Sequence, residues 1–304
     1  RGHAPREESD PDVSDRLTLA DLNAREAAGF VDALSGLFEH SPWIPERVAA
    51  QRPFGSLTAL HAAMTEAVAE AGEDAQLALL RNHPDLAGRA AVAGELTEAS
   101  SGEQASAGLD SLSDEEMARF QALNSRYWER FGFPFIKAVR GADKARILAA
   151  FEGRVDNPWH AELATALNEV GKIAWLRLLA AVEHAPTGKL TTHILDTAGG
   201  CPAARLPLTL WYLDADDGPA RVGDFVTNDD GRLDGPALQG AAFRPGLYQW
   251  VFEAGVYFAR AGHATTATPF LDRIPLSFGI SNPETHYHVP LLLSPWSIST
   301  YRGS

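Results

Sequence analysis

Cysteine is almost absent. Cys201 stands alone among 304 residues, which excludes a disulfide framework within the chain and suits a reducing compartment. Its Gly199-Gly200-Cys201-Pro202 setting reads as a turn, and the residue is expected to be a small buried hydrophobe with no nucleophilic role. Positive charge is scarce as well: 26 Lys and Arg against 40 Asp and Glu leave a net charge of −14. A field of that sign repels nucleic acid and anionic membrane surfaces. No apolar run approaches the roughly 20 residues of a membrane helix. The opening RGHAPREESDPDVSD holds neither a Met nor an apolar core, so a disordered tail over residues 1–15 is expected in place of a secretory signal. A cytoplasmic location is expected accordingly. Internal repeats and low-complexity arrays are missing too.

What remains is an ordinary globular composition, 45% hydrophobic and 22% charged, in a chain long enough for two domains. Residues 16–183 read as helix after helix. Phe30, Val31, Leu34, Leu37 and Phe38 keep helical spacing, as do Leu57, Leu60, His61, Met64 and Val68. Ser113-Asp114-Glu115-Glu116 opens a helix with a capping box, and Leu163 to Leu178 makes a last long amphipathic one. A Pro/Gly link over residues 184–189 separates this half from residues 190–304. There the period drops to two along Leu206, Leu208, Leu210 and Tyr212, resuming at Leu247, Gln249 and Val251. Asn228-Asp229-Asp230-Gly231 signals a turn, and Glu253 to Ala261 has room for one short helix. The expected architecture is an all-α bundle joined to an all-β sandwich.

Basic and hydroxyl groups recur at strand ends of the second half: His193 in LTTHILD, Arg232 in TNDDGR, His286 and His288 in HYHVP, then Tyr301 and Ser304. A chain end carrying Tyr301-Arg302-Gly303-Ser304 after an apolar run is expected to be packed and used. In a strand, His286 and His288 point to one face, so a metal pair is one reading and polar rim residues are another. No Cys or HExxH pattern supplies a third ligand. Two histidines sharing acid and base duty on water, with an arginine holding a planar, partly anionic heterocycle, would amount to hydrolysis without a metal.

Those segments, LTTHILDTAGGCPAARLPLTLWYL, TNDDGR and HYHVPLLLSP with the closing STYRGS, resemble the transthyretin-related 5-hydroxyisourate hydrolases over residues 190–304. YRGS is the feature that separates those enzymes from the hormone carrier of the same fold. The resemblance implies catalytic roles for His193, Arg232, His288 and Ser304, with Tyr301 and Arg302 binding substrate nearby. It also implies a homotetramer with sites in channels between dimers.

In the first half, His83 precedes Pro84, which turns it out of the helical region at a helix break. It could project into a cleft or cap a helix. Ser100 and Glu103-Gln104 lie one helical turn apart on one face, and Arg177 interrupts an apolar helix face. Glu39 to Trp43 (EHSPW), NHPDLAG, SSGEQ, FGFPFIKAVRG and NEVGKIAWLRL resemble OHCU decarboxylase, which acts on 2-oxo-4-hydroxy-4-carboxy-5-ureidoimidazoline, over residues 17–180. The resemblance implies His83 and Glu103 as catalytic residues and Ser100, Gln104, Arg177 and the Phe133-Pro134-Phe135-Ile136 segment as substrate-binding. Dimer contacts through the helical half go with it.

The two resemblances name adjacent reactions of urate breakdown: hydrolysis of 5-hydroxyisourate, then decarboxylation of OHCU to (S)-allantoin. No cofactor is expected for either step: the histidines and arginine would serve the hydrolysis, and the carbanion left by carbon dioxide delocalises into the ring in the decarboxylation. A urate oxidase is the expected pathway neighbour. The competing reading is a transthyretin-like small-molecule binding protein with a helical appendage, which would have no need of His193 and His288.

Overall fold

The computed structural model describes residues 17–88, 96–139, 142–184, 186–213, 219–263 and 266–303. The chain divides into two compact units, 1–184 and 185–304. Each has its own apolar core, as expected when a chain outgrows one.

The first unit is helical. Helices Leu57–Ala69 and Trp159–Ala181 match their apolar spacing, and Ser113 begins helix Asp114–Phe131 with the capping box read from sequence. One expectation changes. The spacing through Phe30 to Phe38 does not make one helix: helix Ala27–Leu34 stops at Ser35, and Leu37 and Phe38 reach the core from the turns that follow. Apolar spacing reports burial, and a turn can bury two residues as well as a helix does. A two-residue parallel pair, strand β1 (Leu17–Thr18) with β2 (Val182–Glu183), ties the start of this unit to the end of its last helix.

The second unit is a sandwich. Its strands are β3 (Lys189–Thr191), β4 (Ile194–Asp196), β5 (Cys201–Pro202), β6 (Pro207–Tyr212), β7 (Ala220–Val226), β8 (Leu238–Gln239), β9 (Gly246–Glu253), β10 (Arg273–Ile280), β11 (His286–His288), β12 (Leu291–Leu293) and β13 (Ile298–Thr300). One sheet is antiparallel, in the order β10-β9-β6-β7. Leu208, Leu210 and Tyr212 with Tyr248, Trp250 and Phe252 point inward from it, because alternate side chains share a face. The facing strands β3 and β4 run parallel to β11 and β12. Two further bonds bridge the interruption: Val289 N–H donates to the Thr191 carbonyl and Leu291 N–H to that of His193, both at 2.9 Å. The expected short helix is Ala254–Ala261. Cys201 corrects its expectation: it lies exposed in β5, at the sheet edge beside β4. Among the described residues no helix is long and apolar enough to cross a membrane.

Candidate active sites

In the helical unit, helix Glu73–Arg81 ends two residues before His83, and Pro84 prevents its resumption. The His83 Nδ1–H donates to the Leu79 carbonyl at 2.9 Å, which fixes the neutral tautomer and leaves Nε2 bare. Among the described residues Nε2 has no hydrogen-bond partner, and it is buried in the lining of a cleft shared with Ser100, Glu103, Gln104, Phe135, Ile136 and Arg177. Burial pushes the His83 imidazole below its ordinary value. The Leu79 carbonyl and the charges of Glu39 and Glu103 pull the other way without restoring it.

The loop carrying His83 is tied down by side chains from elsewhere. Ala87 N–H donates to Gln104 Oε1 at 3.0 Å, Asn124 Nδ2 to the Leu86 carbonyl at 3.0 Å and Trp128 Nε1 to Asp85 Oδ1 at 2.8 Å. Gln104 thus holds the loop while lining the cleft. Helix Glu98–Ser106 begins at Thr97, whose hydroxyl accepts from Ser100 N–H. Ser100, Glu103 and Gln104 then share the face that the sequence placed them on.

Arg177 lines this cleft, buried and clamped. Its Nε donates to Glu103 Oε1 at 2.8 Å, and Nη2 reaches Glu103 Oε2 at 2.9 Å, Glu39 Oε1 at 3.0 Å and Ser100 Oγ at 3.2 Å. Nη1 donates to the Gly36 carbonyl at 3.2 Å. Among the described residues two carboxylates face the Arg177 guanidinium, so it is not a free cation; Lys137 also lines the cleft. Glu39 is the residue that sequence reasoning left without a role. It is buried and accepts from the Ser100 hydroxyl and from Thr97 Oγ1. Burial pushes its carboxyl up, but Ser100 and Arg177 outweigh this and hold it below the ordinary value. Its place in EHSPW was the only signal, and that motif does not say which residue Glu39 meets.

The FGFPFI segment divides. Phe135 and Ile136 line the cleft, whereas Phe133 packs against Tyr127 and Phe131 in the aromatic core, and Pro134 is buried outside the cleft lining. Arg154 fixes the segment: its guanidinium stacks 4.5 Å from the Phe135 centroid and donates to the Ile136 carbonyl at 2.9 Å. Buried Glu162 pairs with Arg154 and Tyr127 to complete that support.

In the sandwich, the TNDDGR turn delivers Arg232 beside His193. Asn228 Oδ1 accepts from Asp230 N–H at 3.1 Å and from Arg232 N–H at 3.0 Å. Gly231 has φ +70°, and a Cβ there would stand 2.3 Å from the Ile194 carbonyl, so glycine is required. His193 and Arg232 are bridged through their backbones, and His288 is bridged to Gly303. A Cβ on Gly303 would meet the His288 ring at 2.9 Å, which explains the glycine of YRGS.

His193 and His288 are both held below the ordinary histidine value, first by partial desolvation and then by the Arg232 charge. His286 is lowered by desolvation and by Lys189. Both imidazoles of β11 share one partner. Thr191 Oγ1 lies 2.7 Å from His286 Nε2 and 2.9 Å from His288 Nδ1. Among the described residues no group of three His, Cys, Asp or Glu is placed to hold a metal ion.

The chain end departs from expectation. Tyr301 is 59% exposed and β13 is exposed throughout, so the end is pinned through Gly303 but not buried within its own chain. Arg302 stacks its guanidinium 4.4 Å from the Tyr287 ring centroid. Ser304 lies outside the described residues.

Comparison with known proteins gives the same division. A family model described as OHCU decarboxylase matches residues 23–179, and one described as HIUase/Transthyretin family matches residues 190–303. The 2-oxo-4-hydroxy-4-carboxy-5-ureidoimidazoline decarboxylase of Haloferax volcanii is 50% identical over 162 residues, 53% of this chain and 94% of that protein. The 5-hydroxyisourate hydrolase of Pseudomonas aeruginosa is 49% identical over 119 residues, 39% of this chain and 94% of that protein. A crystal structure of (S)-allantoin synthase matches with a TM-score of 0.81 and 44% identity, over 95% of this chain and all of that one.

Proposed function

The chain belongs to the OHCU decarboxylase family through its helical half and to the HIUase/transthyretin family through its sandwich, and on that premise we propose a bifunctional (S)-allantoin synthase. The sandwich hydrolyses 5-hydroxyisourate to OHCU, and the helical unit decarboxylates OHCU to (S)-allantoin. The observation that carries this reading is the bare, buried Nε2 of His83 in a cleft with Ser100, Glu103 and Arg177. A neutral imidazole with one nitrogen committed to Leu79 has a single nitrogen left for chemistry.

For decarboxylation, the electron pair of the broken carbon–carbon bond stays on the ring, and a proton must reach a ring carbon from one side. His83 Nε2 takes up a proton and delivers it, a service worth roughly 10²–10⁴ in rate. Glu103, the more exposed of the two carboxylates on Arg177, swings aside as substrate arrives, and Arg177 and Ser100 then take its carboxylate or ring oxygens. Glu39 keeps Arg177 in place meanwhile. For hydrolysis, neutral His193 and His288 activate water and protonate the leaving nitrogen, and Arg232 holds the oxygen on which negative charge develops. Neither step draws on a metal or other cofactor in this reading.

The exposed Arg232, Tyr301 and Arg302 leave the sandwich site open within one chain. We place a second copy over it, in a homotetramer built through the sandwich, with dimer contacts through the helical unit. The enzyme is proposed to be cytoplasmic and to take its substrate from a urate oxidase.

The test is to supply freshly made 5-hydroxyisourate to the chelator-treated protein and follow absorbance together with circular dichroism. Rapid decay followed by the S-allantoin signal is expected. Binding without turnover would favour a carrier, and racemic allantoin forming at the uncatalysed rate would remove the decarboxylase assignment.

A further inference from the structure

Thr191 joins two histidines whose ring centroids lie 6.2 Å apart. In the parallel pair β3–β11, Thr191 stands opposite His288 and Lys189 opposite His286. Side chains two residues apart share a face, while Leu190 and Tyr287 take the buried one. The Thr191 hydroxyl therefore sits between the two imidazoles, 2.7 Å from His286 Nε2 and 2.9 Å from His288 Nδ1. A hydroxyl has one proton to give and lone pairs to receive others. It can donate to either ring while accepting from the other, and the two arrangements are mirror states of one chain of bonds.

In one arrangement His288 Nδ1–H donates to Thr191 and Thr191 donates to His286 Nε2, so His288 Nε2 is bare. In the other, His286 Nε2–H donates to Thr191 and Thr191 donates to His288 Nδ1, so His288 carries its proton on Nε2. We infer that Thr191 is a positioning residue of the hydrolase that relays a proton between His288 and His286, switching His288 Nε2 from base to acid within one turnover. This rests on the hydrolase reading above.

The steps balance. Water oxygen bonds to a ring carbonyl carbon, and its proton passes to His288 Nε2. The Nδ1 proton of His288 moves to Thr191 Oγ1, and the original Thr191 proton moves to His286 Nε2. While the tetrahedral intermediate stands, the positive charge rests on His286. The carbon–nitrogen bond then breaks and its electron pair stays on nitrogen; as His288 Nε2 gives that nitrogen a proton, the His286 Nε2 proton returns to Thr191 and the Thr191 proton to His288 Nδ1, which keeps His288 neutral and restores the first state. The charge distribution favours the shift. Arg232, His286 and His193 all act on His288 and oppose an imidazolium there, whereas desolvation and the Lys189 charge act on His286. Arg302, stacked on Tyr287, is a further charged group beside β11, and Glu284 stands two residues before His286.

The experiment measures hydrolase kcat and its pH profile for the full chain and for Thr191→Val, Thr191→Ser, His286→Gln and the Thr191→Val/His286→Gln double variant. Decarboxylase activity and the melting temperature of each unit serve as folding controls. Thr191→Val is expected to lose on the order of 10²-fold in kcat and to change the pH profile, with Thr191→Ser recovering most of both. His286→Gln should alter the profile in the same way and add little in the double variant, because the two residues act as one unit. Wild-type rate and profile in Thr191→Val would overturn the relay, as would losses that multiply in the double variant. If Thr191→Val melts the sandwich, His286→Gln decides alone: an unchanged profile overturns the inference. A wild-type protein unable to hydrolyse 5-hydroxyisourate sinks the hydrolase reading itself, a distinct outcome.

Discussion

His83 in the helical unit and the histidines of the sandwich are all held below the ordinary histidine value, but different surroundings do it. His83 is 7% exposed, has its Nδ1 proton committed to a helix carbonyl, and faces Glu39 and Glu103 as well as Arg177. Burial, with Arg177 on its side, outweighs the two carboxylates. His193 and His288 are only half-buried, and a positive neighbour, Arg232, adds to their desolvation. Desolvation by packing is insensitive to salt, whereas repulsion between exposed charges is screened. Desolvation is the larger cause at all three, and at the more open sandwich site a neighbouring cation adds to it.

The strongest test of this contrast is to remove each histidine in turn. His83→Ala should cut decarboxylation by roughly 10²–10⁴ and let OHCU accumulate while hydrolysis continues, and His288→Ala should stall the first step by a similar factor. Normal S-allantoin formation by both variants would show that neither site has been located.

A smaller effect is expected at Glu39. Glu39→Ala leaves Ser100 without its acceptor and Arg177 with Glu103 as its remaining carboxylate, at a cost of about 1–3 kcal/mol. Urea unfolding should register that loss in the helical unit and spare the sandwich. An unchanged midpoint would mean that the clamp contributes nothing to stability.

Acid should separate the units next. The folded helical unit binds a proton at His83 less readily than the unfolded chain does, so its stability falls as pH drops through about 6.5 towards the lowered folded value. At neutral pH and above this penalty is absent. Titrating the helical-unit melting temperature against pH in wild type and His83→Gln tests the sign: the acid sensitivity should shrink in the variant.

The smallest and most selective effect belongs to Arg232. Arg232→Gln should move the acid limb of the hydrolase profile up towards about 6.5, and added salt should do so in part, while the decarboxylase limb stays put. Equal movement in both activities would erase the distinction between the sites.

Much of this arrangement was legible along the chain because it is local. Helical spacing placed Ser100, Glu103 and Gln104 on one face, strand alternation placed His286 and His288 on another, and TNDDGR announced a turn that requires its glycine. Such patterns depend on neighbours within a turn or two, which sequence order preserves. Which distant groups meet is a different matter. Glu39 reaches Arg177 across 138 residues and Ser100 across 61, and Thr191 reaches His286 across 95. Phe133 and Phe135 read alike and both join the aromatic core, but packing lets only Phe135 line the cleft as well. Tyr301 read as packed and stands exposed. The sequence by itself determined the two architectures and the faces that carry the chemistry. Tertiary structure alone decided the pairing of Arg177, the bare nitrogen of His83 and the hydroxyl between two histidines, because desolvation and hydrogen bonding depend on what closes over a group from elsewhere in the chain.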